Sequence, residues 1–152
     1  APFVAQNVGA GKEKRADSGM LWGMGIGSAI GVVIMIVTYF RGDLLAGLFS
    51  TDSAVVQRAF EYLRGFSPEA VVTCILFSFM GYFNGHGQSL FVMLQSLAQS
   101  FFVRLPMSWF MSTRPDASLT MIGLAAPTAT VFGILICWIY YRKRKDRPFC
   151  GC

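Results

Sequence analysis

Charge is what this sequence has least of. Asp, Glu, Lys and Arg make up 14% of its 152 residues, hydrophobic residues make up 54%, and mean hydropathy is +0.52. A soluble domain carries about 25% charged residues, so this chain has too few to coat a globule in water. It has one histidine, His86, which excludes the H-E-x-x-H zinc pattern and leaves no base at a plausible spacing for a Ser or Cys nucleophile. His86 has no ligand companions at helical spacing and reads as a solvated loop residue. No pair of aspartates lies within an apolar run, and no enzyme pattern is present. Cysteines are scarce too. Cys74 and Cys137 lie inside apolar runs, so they suggest neither a disulfide framework nor a zinc site, and Cys150 and Cys152 read as two reduced thiols on a tail. No metal site or cofactor is expected. An initiator Met and a basic segment ahead of an apolar core are also missing, which argues against a cleavable signal and predicts that the chain begins partway through something larger.

The charge that is present is unevenly placed. The net charge is +5, and eight of the thirteen basic residues fall in two clusters, Lys12/Lys14/Arg15 and Arg142/Lys143/Arg144/Lys145/Arg147. Each flanks a long apolar run, as juxtamembrane segments do. A nucleic-acid surface would interleave basic and aromatic residues on a folded face, whereas the fourteen Phe here sit in uncharged stretches. A nucleic-acid partner is therefore not expected; a lipid bilayer is.

A helix needs about 20 mainly apolar residues to cross a hydrocarbon core of roughly 30 Å. Four runs satisfy this, predicting an all-α membrane bundle with transmembrane helices at 18–40, 54–83, 88–111 and 117–141. Residues 1–17 read as the end of a preceding helix and a loop, and 142–152 as a basic tail. Four spans put both ends on one side, and the terminal basic clusters predict that side to be cytoplasmic, in a multi-pass protein of the cell membrane.

Gly19, Gly23, Gly27 and Gly31 recur every four residues and so line nearly one face of the first span. In lipid such a face lets a neighbouring backbone approach closely. A phosphate loop is excluded, because Gly9-Ala10-Gly11-Lys12 has Gln6 and Glu13 where that motif needs Gly and Ser or Thr.

Ionisable and polar groups inside the spans are the site candidates, since each is costly in lipid. Glu69 follows Ser67-Pro68, and two readings stand: a proton or cation site in a polar cavity, or a helix cap in a charged outer mouth with Arg58, Glu61 and Arg64. In the third span Gln95, Ser96, Gln99, Ser100 and Arg104 form a polar side, used either as interhelical glue or as substrate contact. Pro106 is expected to bend that span and free carbonyls near Phe102.

The opening Ala5-Gln6-Asn7-Val8-Gly9-Ala10-Gly11-Lys12-Glu13-Lys14-Arg15-Ala16 closely resembles the A-Q-N-x-G-A-G-x-x-x-R-A signature of the multidrug and toxic compound extrusion (MATE) family. Tyr62-Leu63-Arg64-Gly65, Phe79 to Gly85, Arg104-Leu105-Pro106 and Ile122 to Pro127 continue the likeness in order and spacing. The resemblance implies a twelve-helix transporter in two lobes with both ends cytoplasmic, of which this chain would be the end of helix eight and helices nine to twelve. It implies antiport of cationic or amphipathic, drug-like compounds against Na+ or H+. The partners would be those compounds and the remaining transporter helices. The segment holding Gln6, Asn7, Gly9, Gly11 and Arg15 would be the loop between helices eight and nine. One branch of the family uses a helix-ten aspartate for the coupling cation; its place falls near Thr73, where this sequence departs from the pattern, and Glu69 lies about one turn earlier. Rival readings are a related lipid-linked oligosaccharide exporter and a small four-helix membrane subunit that transports nothing.

Overall fold

The computed structural model describes residues 1–113 and 118–145. The start of the fourth span at Ala117, Arg147 of the basic cluster, and Cys150 and Cys152 lie outside the described residues. The chain forms α1 (Pro2–Gly9), α2 (Glu13–Gly47), α3 (Ser53–Phe66), α4 (Glu69–Gly85), α5 (Ser89–Ala98), a π-helical segment (Gln99–Arg104), α6 (Leu105–Ser112), α7 (Leu119–Gly123) and α8 (Ala125–Lys145). No strand occurs among the described residues. Three helical stretches, 13–47, 89–112 and 119–144, are long and apolar enough to cross a membrane, and α3 with α4 makes a fourth as a bent pair. The protein is an all-α membrane helix bundle.

The boundaries correct several expectations. The first span is longer than 18–40, and its helix is broken at Arg41 (φ −128°, ψ 26°), where the following Gly42 is buried against Phe60. The expected single span at 54–83 is two helices meeting at 48°. Pro68 cannot donate to the carbonyl of Arg64, and the Ser67 hydroxyl donates to that carbonyl instead at 2.9 Å. Asp52 caps α3 by accepting from the Ala54 amide at 2.9 Å. In the third span the irregularity lies ahead of Pro106, as a wider turn in which the Leu105 amide donates to the Ser100 carbonyl. In the fourth span α7 continues into α8 through Leu124, which keeps helical dihedrals (φ −71°, ψ −14°), and α8 runs on to Lys145, so the basic residues 142–145 continue the helix rather than opening a tail.

α4 packs between α2 and α8, while α3 packs on α7 and α2. These seams are made by glycine. A Cβ on Gly31 would lie 3.0 Å from Val71 Cα and 2.7 Å from the Ala70 carbonyl, so α2 and α4 touch backbone to backbone. Gly65 of α3 abuts the Thr120 carbonyl of α7, and Gly123 faces Tyr62 and Phe66 in return. The Thr120 hydroxyl closes this seam by donating to the Glu61 carbonyl at 2.9 Å. Along the four-glycine face, Gly27 meets Cys74 and Gly19 meets Phe3, but Gly23 faces open space, because each four-residue step drifts by about 40° around a helix.

Where α4 and α8 end, Phe83 and Cys137 are fully buried, and a ring cluster joins the helices. Phe91 stacks on Tyr140 at 3.9 Å, and Phe83 meets both edge-on. Trp22, Phe49 and Phe102 are exposed, as a lipid-facing surface requires.

Gly31→Leu should force α2 from α4 and lower the thermal midpoint in detergent by roughly 5 °C, from an overpacking cost of about 1–3 kcal/mol. Gly23→Leu should change it by less than about 2 °C, given the open space beside it. Equal falls in the two variants would refute this packing assignment.

Candidate functional site

A polar chain crosses the bundle where the spans are broken. Glu69 is the first residue of α4, directly after the bend, and its Oε1 accepts from the Thr130 hydroxyl of α8 at 2.9 Å. The same hydroxyl oxygen accepts from Gln99 Nε2 at 3.4 Å, and Gln99 Oε1 accepts from Gln95 Nε2 at 2.9 Å. Four side chains from three spans are thereby joined. Gln95 is 3% exposed and Thr130 also 3%. Glu69 Oε2 and Gln95 Oε1 are buried without a hydrogen-bond partner.

Local structure explains the convergence. Gln95 and Gln99 are four residues apart, one turn, so their amides meet on one side of the helix. Gly133 of α8 provides the space, since a Cβ there would lie 2.7 Å from Gln95 Nε2. The seam at Gly31, with Ala70 and Val71 opposite, fixes the start of α4 and so the position of Glu69.

Other sequence candidates fall elsewhere. Arg104 is exposed at the end of the π-helical segment, as is Ser100. The wide turn holds an extra residue, so positions after Gln99 are rotated away from the face that a regular helix would give them. Ser96 turns back to its own helix, donating to the Val92 carbonyl at 2.7 Å. Thr73 is half-buried one turn beyond Glu69 and outside the chain of hydrogen bonds. Arg58 and Glu61 form a pair of their own at 4.0 Å. Arg64 donates to the Tyr39 hydroxyl at 3.2 Å and lies over the Tyr39 ring. Glu69 is thus turned to α8 and not joined to these charges. Thr130 and Gly133 were not legible as site residues: a Thr and a Gly within an apolar helix are ordinary in membrane proteins.

At the opposite end the motif segment forms a helix end and a tight turn. Asn7 is buried and donates to the Phe3 carbonyl at 2.8 Å, and Gly11 takes φ +69°, a left-handed turn that favours glycine. Gln6, Gly9 and Arg15 are exposed. Just beyond, Asp17 accepts from the Tyr82 hydroxyl at 2.8 Å. Arg144 lies 6.0 Å over the Tyr82 ring and Arg142 lies 4.0 Å over Trp138. Asp17 and Arg144 both meet Tyr82, so the basic start of α2 and the basic end of α8 stand at one end of the bundle. His86 is not a solvated loop residue: it ends α4 half-buried, with Nδ1 2.9 Å from the Tyr82 carbonyl.

Half-buried Glu69, with one carboxylate oxygen buried and the other bonded to a chain of polar side chains on two other spans, is the kind of intramembrane ionisable group that marks a functional site. The MatE family model matches residues 1–110, and the chain belongs to that family, which is a family of transporters. No curated relative and no solved structure matches it.

Tyr82→Phe should remove the tie between α4 and Asp17 and cost about 1–2 kcal/mol, read as a lower thermal midpoint in detergent. An unchanged midpoint would show that Asp17 does not fasten this end.

Proposed function

We propose that this chain is the C-terminal part of a two-lobe secondary carrier, which exports cationic or amphipathic compounds in exchange for Na+ or H+. In this reading Glu69 takes up the driving ion, and both ends of the segment face the cytoplasm. The observation that carries the assignment is the spare Glu69 Oε2, buried and without a hydrogen-bond partner at the junction of α4 and α8. A carboxylate kept inside an apolar span is costly unless its charge is used, and binding and releasing a cation is such a use. Alternating access then needs a mobile element beside the ion, and the 48° bend between α3 and α4 lies directly before Glu69. The lipid-facing surface supports multi-pass placement in the cell membrane, and the basic residues gathered at one end support the cytoplasmic orientation.

Expressed as the full-length protein, the carrier should lower cellular accumulation of a cationic dye such as ethidium. Glu69→Gln should abolish ion-driven efflux. Unchanged accumulation across several dyes and both ion gradients would sink the export reading; wild-type efflux in Glu69→Gln would remove Glu69 from coupling.

A further inference from the structure

We propose that Thr130, Gln99 and Gln95 are positioning residues that stabilise Glu69 in its empty, ionised form and so allow the driving ion to leave, with Gly133 as the seat that keeps the two amides in line. This rests on the assignment of Glu69 to coupling.

The argument is one of donors and acceptors. An ionised carboxylate can only accept. Thr130 has one hydroxyl proton, and it is committed to Glu69 Oε1 at 2.9 Å. Gln99 must therefore approach Thr130 through its NH2, which it does at 3.4 Å. Its carbonyl is left to accept from Gln95 Nε2 at 2.9 Å. Every donor along the chain points toward Glu69. The charge on one carboxylate thus dictates the orientation of two amides a helix away. The two atoms left over, Glu69 Oε2 and Gln95 Oε1, are both acceptors and stand at opposite ends of the chain. Each amide NH2 keeps a second N–H, yet no donor reaches the spare Glu69 oxygen, which lacks a positive partner. A proton or small cation supplies it.

Neutralisation also offers the chain a second, reversed arrangement. A protonated Glu69 donates to Thr130, the Thr130 hydroxyl turns to a Gln99 carbonyl, and the Gln99 NH2 turns to the Gln95 carbonyl. The number of hydrogen bonds is preserved and Gln95 Oε1 gains a donor. Both arrangements need the amides to turn over beside α8, and Gly133 makes that possible: a Cβ there would lie 2.7 Å from Gln95 Nε2 and 2.9 Å from Gln99 Cδ.

The charged groups of α3 are engaged elsewhere, Arg64 with the Tyr39 hydroxyl and Arg58 with Glu61. From α2, residues 18–40 carry no charged side chain, and the tyrosine among them, Tyr39, is bonded to Arg64 of α3. α1 and α5 carry none, and Arg104 at the end of the π-helical segment is exposed. On α8 the described residues from Ala125 to Ile136 are uncharged.

The test uses the full-length protein in liposomes, with ethidium efflux driven by an imposed Na+ or proton gradient. Thr130→Val keeps the side-chain shape and removes the donor. It should lower the half-saturating concentration of the driving ion about tenfold, equivalent to about 1.4 kcal/mol, with a reduced maximal rate because release slows. Thr130→Ser should restore both values. Gln99→Leu and Gly133→Ala should shift half-saturation in the same direction as Thr130→Val. If Glu69→Gln abolishes ion-driven efflux but Thr130→Val and Gln99→Leu leave half-saturation within twofold, the relay is refuted and the coupling assignment stands. A Thr130→Ser variant that behaves like Thr130→Val refutes it too. If Glu69→Gln transports like the unsubstituted protein, the coupling assignment falls and takes the relay with it.

Discussion

Lipid tails are as apolar as leucine, so helices in a bilayer gain little by hiding hydrophobic surface from them and must be held by close packing and polar contacts. Close backbone approach at glycine is how this chain meets that constraint. Gly31 of α2 lies against Ala70 and Val71, the two residues that follow Glu69, so the same contact that joins α2 to α4 fixes where the carboxylate emerges. Gly65 and Gly123 do the corresponding work between α3 and α7. With a bulkier residue at Gly31, α4 would be displaced from α2, and Glu69 with it.

A second constraint follows from the same medium: backbone groups freed by a helix break cannot turn to water at membrane depth. Three of the four spans nonetheless depart from regular helix, at Arg41, at Ser67-Pro68 and over Gln99–Arg104. Two of these carry their own remedy. Ser67 takes the carbonyl that Pro68 leaves open. The π-helical segment keeps its backbone bonded by lengthening the turn. Glu69 directly follows one break and Gln99 begins the π-helical turn, whereas Gln95 and Thr130 lie within regular helix.

The number and rough position of the spans were legible because uncharged runs register the bilayer directly. Glu69, Gln95 and Gln99 were legible for the same reason: a polar residue stands out against an apolar run. Their partners were not. Thr130 and Gly133 differ from ordinary membrane-helix residues only in what lies opposite them, which depends on how α8 packs against α5. Arg104 is exposed because regular helical periodicity does not carry through the π-helical turn. Gly23 was grouped with Gly27 and Gly31 because a four-residue repeat follows one face only approximately.

The two ends of the bundle are held in different ways. At the end carrying the basic clusters, Phe79, Tyr82, Phe83, Phe91, Tyr140 and Tyr141 interlock across α4, α5 and α8, and Asp17 ties α2 to Tyr82. Rigid rings in mutual contact have few alternative packings. At the other end α3 and α7 meet backbone to backbone across Gly65 and Gly123, and α3 packs on α2 as well, so this end is held by close glycine contacts rather than by interlocked rings. Glu69 lies where those two regimes meet. Under the proposed coupling, a change of charge there would reverse the hydrogen bonds that reach α5 and α8 while acting beside the α3–α4 bend.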